Sequence, residues 1–350
     1  GVALVWIAPG FGQEWDVRTG VQTAFDDMLV ALAEKSGHTE IKDAPLIPFG
    51  HSAQATMPWN FAAWNPERTL CIISYHGDAP RTNLCGYGRS NVEWGRNRNI
   101  DGIPGLMIMG EYEWWDARLR PALAFRMMYP GSCISFLGDA GRGHFDLSER
   151  TADYIARFIE KSLDKRLIDG QLMPVDPTEG WMAQSWEPRQ KNRAKAAPWK
   201  EFSGCRHDAF WYFDKEMADM TERRYAETLD KRPCYISFLN EQGKLLEYNP
   251  KGHCKIIAKI APNSDDTFSL KCVFTDSTRT KTVNSRPNDI IQIKYVSGPA
   301  IVLDDGTFRI DRNHPTWDNP RRRGRITLCA EAPSDKRFKE TVQEIEVLVE

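Results

Sequence analysis

Leu46-Ile47-Pro48-Phe49-Gly50-His51-Ser52-Ala53-Gln54 reads as a strand that runs into a helix, with a serine at the turn between them. A serine on such a bend is lifted out of the sheet with its hydroxyl exposed. The N–H of the following residue, at the helix N-terminus, is then placed to stabilise an oxyanion. Taken alone, a serine here is also an ordinary helix cap, so the order of the surrounding elements has to decide its meaning.

Outward from this stretch, short apolar runs alternate with amphipathic helices from Val2 to about Leu167, the pattern of parallel strands joined by crossover helices. Gly1 to Pro9 is expected to be a buried strand. Val21, Phe25, Met28, Leu29 and Leu32 define a helix that Gly37 ends, and Ala44 to Phe49 is the next strand, with helix resuming after Ser52. Cys71–Tyr75, Ile103–Met109 and Cys133–Leu137 follow as strands. A closing helix, capped by Ser148 or Asp146, has Ala152, Ile155, Phe158, Ile159 and Leu163 on its apolar face.

Between about Asp169 and Pro233 the pattern breaks into proline, tryptophan and charge, with one helical stretch near Asp214–Ala226. The tryptophans argue for a connector packed on the first domain rather than a flexible linker. From Cys234 the period changes to two: Phe268, Leu270, Cys272 and Phe274 alternate with polar neighbours, as do Ile345, Val347 and Val349, with turn signals such as Asp305-Gly306. The expected architecture is thus α/β, a mostly parallel sheet with flanking helices over 1–168, a connector over 169–232, and an all-β immunoglobulin-like sandwich over 233–350.

Composition narrows the partners. A formal charge of −2 over 350 residues gives no basic field for nucleic acid, and no apolar run reaches the length of a membrane span. The run Arg321-Arg322-Arg323 reads as a solvent-facing turn. The eight cysteines are scattered singly, with neither zinc-module nor disulfide-framework spacing, and most are expected to be buried thiols. Read as a trimmed or mature chain, the sequence is expected to act outside the cytoplasm, secreted or periplasmic.

The candidate chemistry comes from elements in order: the small-residue loop Pro9-Gly10-Phe11-Gly12, the Ser52 turn, an acidic loop Gly110-Glu111-Tyr112-Glu113, and Gly143-His144-Phe145 before the closing helix. Each of the later pieces follows a strand, where the functional loops of an open parallel sheet lie. With Asn65-Pro66-Glu67-Arg68 and Ile103-Pro104-Gly105-Leu106, this order resembles the α/β-hydrolase family over roughly residues 2 to 167. The resemblance implies a serine hydrolase in which Ser52 is the nucleophile, His144 its base and Glu113 the acid, with Glu111 and Asp78 as alternatives for the acid. Ala53 N–H and a donor from Gly10-Phe11 would form the oxyanion hole. Two residues depart from the family pattern. Gln54 stands where glycine is usual, and Pro58 is placed to kink the helix.

The short stretch Asp78–Gly102, where this family inserts its lid, leaves an open site. Arg89 and Trp94 there, with Trp114 and also Trp59 and Trp115 elsewhere, offer aromatic platforms and guanidinium groups to an acidic sugar. With the appended β-domain, the chain resembles bacterial multidomain carbohydrate esterases, which implies removal of acetyl or methyl ester groups from a glycan without cofactor or metal. A carbohydrate-binding scaffold that has lost activity and a peptidase of the same fold are the competing expectations. A metal hydrolase using His76 and Asp78 lacks a third ligand at recognisable spacing, and Glu111 and Glu113, near neighbours on one short segment, make a poor glycosidase pair.

Overall fold

The computed structural model describes residues 2–7, 11–113, 115–187, 190–246 and 256–349. The chain divides into two compact units, one formed by Gly1–Asp139 with Asp153–Tyr225, the other by Ala140–Ala152 with Ala226–Glu350.

The first unit is built on a four-stranded parallel sheet. Its strands are β1 (Phe49–His51), β2 (Ile72–Tyr75), β5 (Pro104–Gly110) and β6 (Cys133–Asp139), in that spatial order, with the small hairpin β3 (Leu84–Cys85) and β4 (Arg89–Ser90) between β2 and β5 in the chain. Ile72, Ile73, Leu106, Met107, Ile108, Ile134 and Phe136 are completely buried, as required of a parallel sheet covered on both faces. The register aligns His51 with Tyr75, Tyr75 with Ile108, and Ile108 with Leu137. The loops after all four strands therefore leave from one edge of the sheet.

Helix α1 (Val21–Ser36) buries Val21, Phe25, Leu29 and Ala33, one residue per turn, and stops at Gly37 in the left-handed conformation. Its stripe packs with Trp15 and Phe61, ring centroids 4.8–5.4 Å apart in edge-on contacts. Helix α2 (Met57–Trp64) does not begin directly after Ser52. A 3-10 turn over Ser52–Gln54 intervenes, and this shift puts Pro58 in the first helical turn. There a missing N–H has no intrahelical partner to lose, so Pro58 fits without the expected kink.

Helix α3 spans Trp115–Met128, and α4 (Glu149–Arg166) is capped by Ser148, whose Oγ accepts the N–H of Thr151 at 3.2 Å. Asp146, the alternative cap, instead accepts the N–H of Gly143 at 2.6 Å. The expected strand at the start of the chain does not form over residues 2–7: Leu4 is 91% and Trp6 79% exposed, without regular structure. An extended segment is stable only with a ladder partner and a face to bury.

After α4 comes a two-strand turn, β7 (Leu167–Ile168) with β8 (Gln171–Leu172). Then β9 (Trp181–Gln184) pairs antiparallel with β10 (Ala197–Pro198) and β11 (Ala209–Tyr212), and α5 spans Lys215–Ala226. This connector covers β6. Tyr212 donates its hydroxyl to the Phe136 carbonyl at 2.7 Å, Ser135 donates to the Trp211 carbonyl at 2.6 Å, and the Gly138 N–H reaches the Tyr225 hydroxyl at 3.0 Å. Trp186 and Trp211 are buried, and the Arg224 guanidinium meets the fully buried Asp139 through Nε at 3.0 Å.

The second unit is mostly antiparallel. Its strands are β12 (Tyr235–Leu239), β13 (Ile256–Ile260), β14 (Thr267–Phe268), β15 (Lys271–Thr275), β16 (Gln292–Ser297), β17 (Ala300–Val302), β18 (Phe308–Ile310), β19 (Arg325–Ala332) and β20 (Thr341–Val349). One sheet runs β13-β20-β19-β16, with β13 parallel to β20; two smaller ones are β12-β15 and β14-β18-β17. Ile345, Val347 and Val349 face a core shared with Phe238, Phe274 and Leu328. The alternation expected to run unbroken from Phe268 to Phe274 is split. Phe268 pairs with β18 and Phe274 with β12, because the chain changes sheets at Ser269-Leu270. Among the described residues no helix is long and apolar enough to cross a membrane.

The seven described cysteines are free, and only Cys205 is exposed. Burial pushes the Cys71 and Cys133 thiols up to about 12. In native protein at pH 8 a thiol-specific disulfide reagent is expected to modify Cys205 and to leave Cys71 and Cys133 unreacted until denaturant is added. Asp139→Ala should destabilise the fold by about 3–5 kcal/mol in urea titration, by stranding the buried Arg224 charge.

Candidate functional site

The first unit gathers its polar side chains where the parallel strands end. Ser52, one residue beyond β1, has φ 58, the left-handed region that costs a non-glycine residue about 1–2 kcal/mol. It follows an extended His51 and starts the 3-10 turn that Ala55 N–H closes on the Ser52 carbonyl at 2.9 Å. Close backbone approach holds the turn. A Cβ on Gly50 would lie 2.1 Å from the Gln54 carbonyl oxygen, one on Gly77 1.9 Å from Ala55 Cβ, and one on Gly86 2.4 Å from the Ala53 carbonyl oxygen. The tightest of these side-chain contacts falls on Ala55 against Gly77.

His76 stands one residue beyond β2, in line with Ser52 through the His51–Tyr75 register, and it too has positive φ, 54. Its N–H bonds the Ile108 carbonyl at 2.8 Å, and its side chain is completely buried. Nδ1 lies 2.7 Å from Oε1 of Glu113, whose side chain is 3% exposed. The Gly110 N–H donates to the same Oε1 at 2.7 Å. The His76 ring packs on Tyr75 at 4.0 Å between centroids and on His51 at 5.8 Å. A packed chain His51–Tyr75–His76–Glu113 therefore links the serine turn to the acidic loop. In sequence His76 drew notice only as a metal donor. The signal for its actual setting was its place at the end of a strand, the same place Ser52 occupies. An imidazole and a carboxylate so close are also donor types for a divalent cation.

The other carboxylates near this edge have different settings. Asp78 pairs with Arg118 and receives the Trp59 indole N–H on its backbone carbonyl at 2.9 Å, while Glu111 is half-buried with its N–H on the Asp139 carbonyl at 3.2 Å. Burial lowers the Arg118 pKa from its ordinary value.

His144 lies five residues beyond β6, in the Ala140–Ala152 segment that belongs to the second unit. That segment is fastened within the unit. The fully buried Arg142 guanidinium is 2.7 Å from Glu340 Oε1, Cys329 Sγ approaches the Leu147 carbonyl at 3.8 Å, and Lys294 Nζ is 2.8 Å from Glu149.

Of the residues expected to bind substrate, Arg89 is on the β3–β4 hairpin, exposed and 2.9 Å from Glu14. Trp94 is buried with its indole N–H on Asn60 Oδ1 at 2.7 Å, and Trp59 is completely buried, so neither offers a ring face to a ligand. Tyr87, from the same lid stretch, is 76% exposed on the turn that begins with Gly86 against Ala53. Of the expected second oxyanion donors, Phe11 packs its ring on Trp15 and Phe25 at 5.8 and 5.6 Å. Gly10, Trp114 and the side chain of Trp115 lie outside the described residues.

No protein-family model, no curated protein and no solved structure matches the chain.

Gly50→Ala should lower stability by about 1–3 kcal/mol in chemical denaturation, through the clash with the Gln54 carbonyl. Gly88→Ala, which meets no atom within 4 Å but has φ 73, should cost only about 1 kcal/mol.

Proposed function

We propose that the chain is a serine hydrolase of the α/β-hydrolase type that cleaves a carboxylic ester. The observation that carries this reading is the left-handed Ser52 on a glycine-packed turn between β1 and α2. Strain of this kind at a hydroxyl-bearing residue is a nucleophile's setting rather than a cap's, since a capping serine takes extended backbone angles.

In this reading Ser52 Oγ attacks the ester carbonyl as His144 takes its proton, and Ala53 N–H, with a donor from the Gly10-Phe11 loop, stabilises the oxyanion. Collapse expels the alcohol, protonated by His144, and leaves an acyl-serine. Water, deprotonated by the same histidine, then releases the acid and restores Ser52. Glu113 is the acid that orients the base. Its burial and its bond from Gly110 N–H hold it in a single position, whereas Asp78 is engaged by Arg118. No cofactor or metal enters these steps.

The proposed substrate is a carbohydrate ester, acetyl or methyl, in a secreted or periplasmic setting, with neither nucleic acid nor membrane as partner. Support comes from the β3–β4 hairpin. Gly86 packs on the backbone of Ala53, so exposed Tyr87 and Arg89 border the serine turn with a ring face and a guanidinium. The second unit, read as an immunoglobulin-like sandwich, belongs to the same proposal.

A fluorophosphonate probe followed by peptide mass spectrometry should mark Ser52 in the wild type and nothing in Ser52→Ala. Absence of labelling in folded protein would replace the enzyme with a carbohydrate-binding scaffold. Glu113→Gln should lower kcat on p-nitrophenyl acetate by about 10²–10⁴-fold. Glu111→Gln should change it less than about threefold. A larger loss at Glu111 would move the acid there.

A further inference from the structure

The geometry points to His76 as the positioning residue for Glu113, an inference that rests on the serine-hydrolase reading. A triad acid must hold one orientation while charge develops on the base, and a glutamate on a loop has side-chain torsions to fix beyond its backbone. Here Oε1 accepts the Gly110 N–H at 2.7 Å and lies 2.7 Å from His76 Nδ1.

His76 itself is fixed three ways. Its side chain is completely buried, its ring packs on Tyr75 and His51, and its backbone N–H is tied to β5 at Ile108. The left-handed φ of 54 turns the ring off the end of β2 toward the acidic loop, a direction an extended residue would not give it. Backbone strain retained at a buried histidine facing a carboxylate is the arrangement expected of a support for a reacting group. The same packing connects it to His51, the residue before the nucleophile, so one rigid cluster sets the strand end that carries the serine and the acid.

The test uses the full chain, p-nitrophenyl acetate as substrate and the fluorophosphonate probe as an independent readout. His76→Phe keeps a buried ring and removes the nitrogens; His76→Asn keeps a polar nitrogen near the place of Nδ1. Melting curves establish that each variant is folded at the assay temperature. His76→Phe should lower kcat by about 10–100-fold with KM within about twofold of wild type, while His76→Asn recovers most of the loss. In a Glu113→Gln background, His76→Phe should cost less than about twofold more, because its effect passes through Glu113.

Equal losses in both backgrounds, or His76→Asn as impaired as His76→Phe, would overturn the assignment. If His76→Phe does not fold, His76→Asn against Glu113→Gln and the double variant decides by the same non-additivity. A wild type that is not labelled at Ser52 removes the hydrolase reading and the inference with it. Labelled wild type with unaffected His76→Phe removes the inference alone.

Discussion

The first unit depends on a backbone constraint: two neighbouring parallel strands must each end in a residue with positive φ. Ser52 and His76 occupy adjacent places in the register, at φ 58 and 54, and that conformation costs about 1–2 kcal/mol at each. The turns persist because their surroundings leave no room for relaxation. Gly50 lies against the Gln54 carbonyl, Gly77 against Ala55 and Gly86 against Ala53, and the strands behind them are buried on both faces. A Cβ at any of the three would press on the Ser52–Ala55 turn at 2.4 Å or less.

Pairing at the strand ends follows from the same burial. A carboxylate withdrawn from water at the edge of an apolar sheet needs a cation or several donors. Three of these acids have such partners: Asp78 with Arg118, Glu113 with His76 and the Gly110 N–H, and Asp139 with Arg224. The partners differ in kind, and the difference separates the roles. The two guanidinium pairs are fixed charges that seal loops. The Glu113–His76 pair instead sets a buried ring against a carboxylate, and the same ring packs on His51 beside the Ser52 turn.

Much of this was legible in sequence because the residues that set it have local effects. Gly37 ends α1, Ser148 begins α4, and the mainly apolar runs of β5 and β6 point to a doubly covered sheet. Residues whose meaning depends on distant partners were not legible. Pro58 looked like a kink because the 3-10 turn before it could not be foreseen, and Trp94 looked like a platform because its partner, Asn60, is 34 residues away in the chain. His76 was read only as a metal donor, since a lone histidine has no signature of its own. Val2 to Ile7 has the composition of a strand, but composition does not supply a ladder partner.

The placement of His144 changes how the second unit is understood. Sequence reading assigns this histidine to the α/β domain, after its last strand, and treats the β-domain as an appendage. The segment that carries it, Ala140–Ala152, is instead integrated into the body formed with Ala226–Glu350. Gly141, at φ 81, leaves only 2.6 Å between an added Cβ and the Glu340 carbonyl oxygen, and Arg142 has the Glu340 carboxylate as its ionic partner. Cutting the chain after Ile168 would keep the histidine and discard Glu340, stranding a buried guanidinium whose desolvation that carboxylate offsets. The loop bearing His144 is therefore folded by the β-rich unit rather than by the parallel sheet whose last strand precedes it.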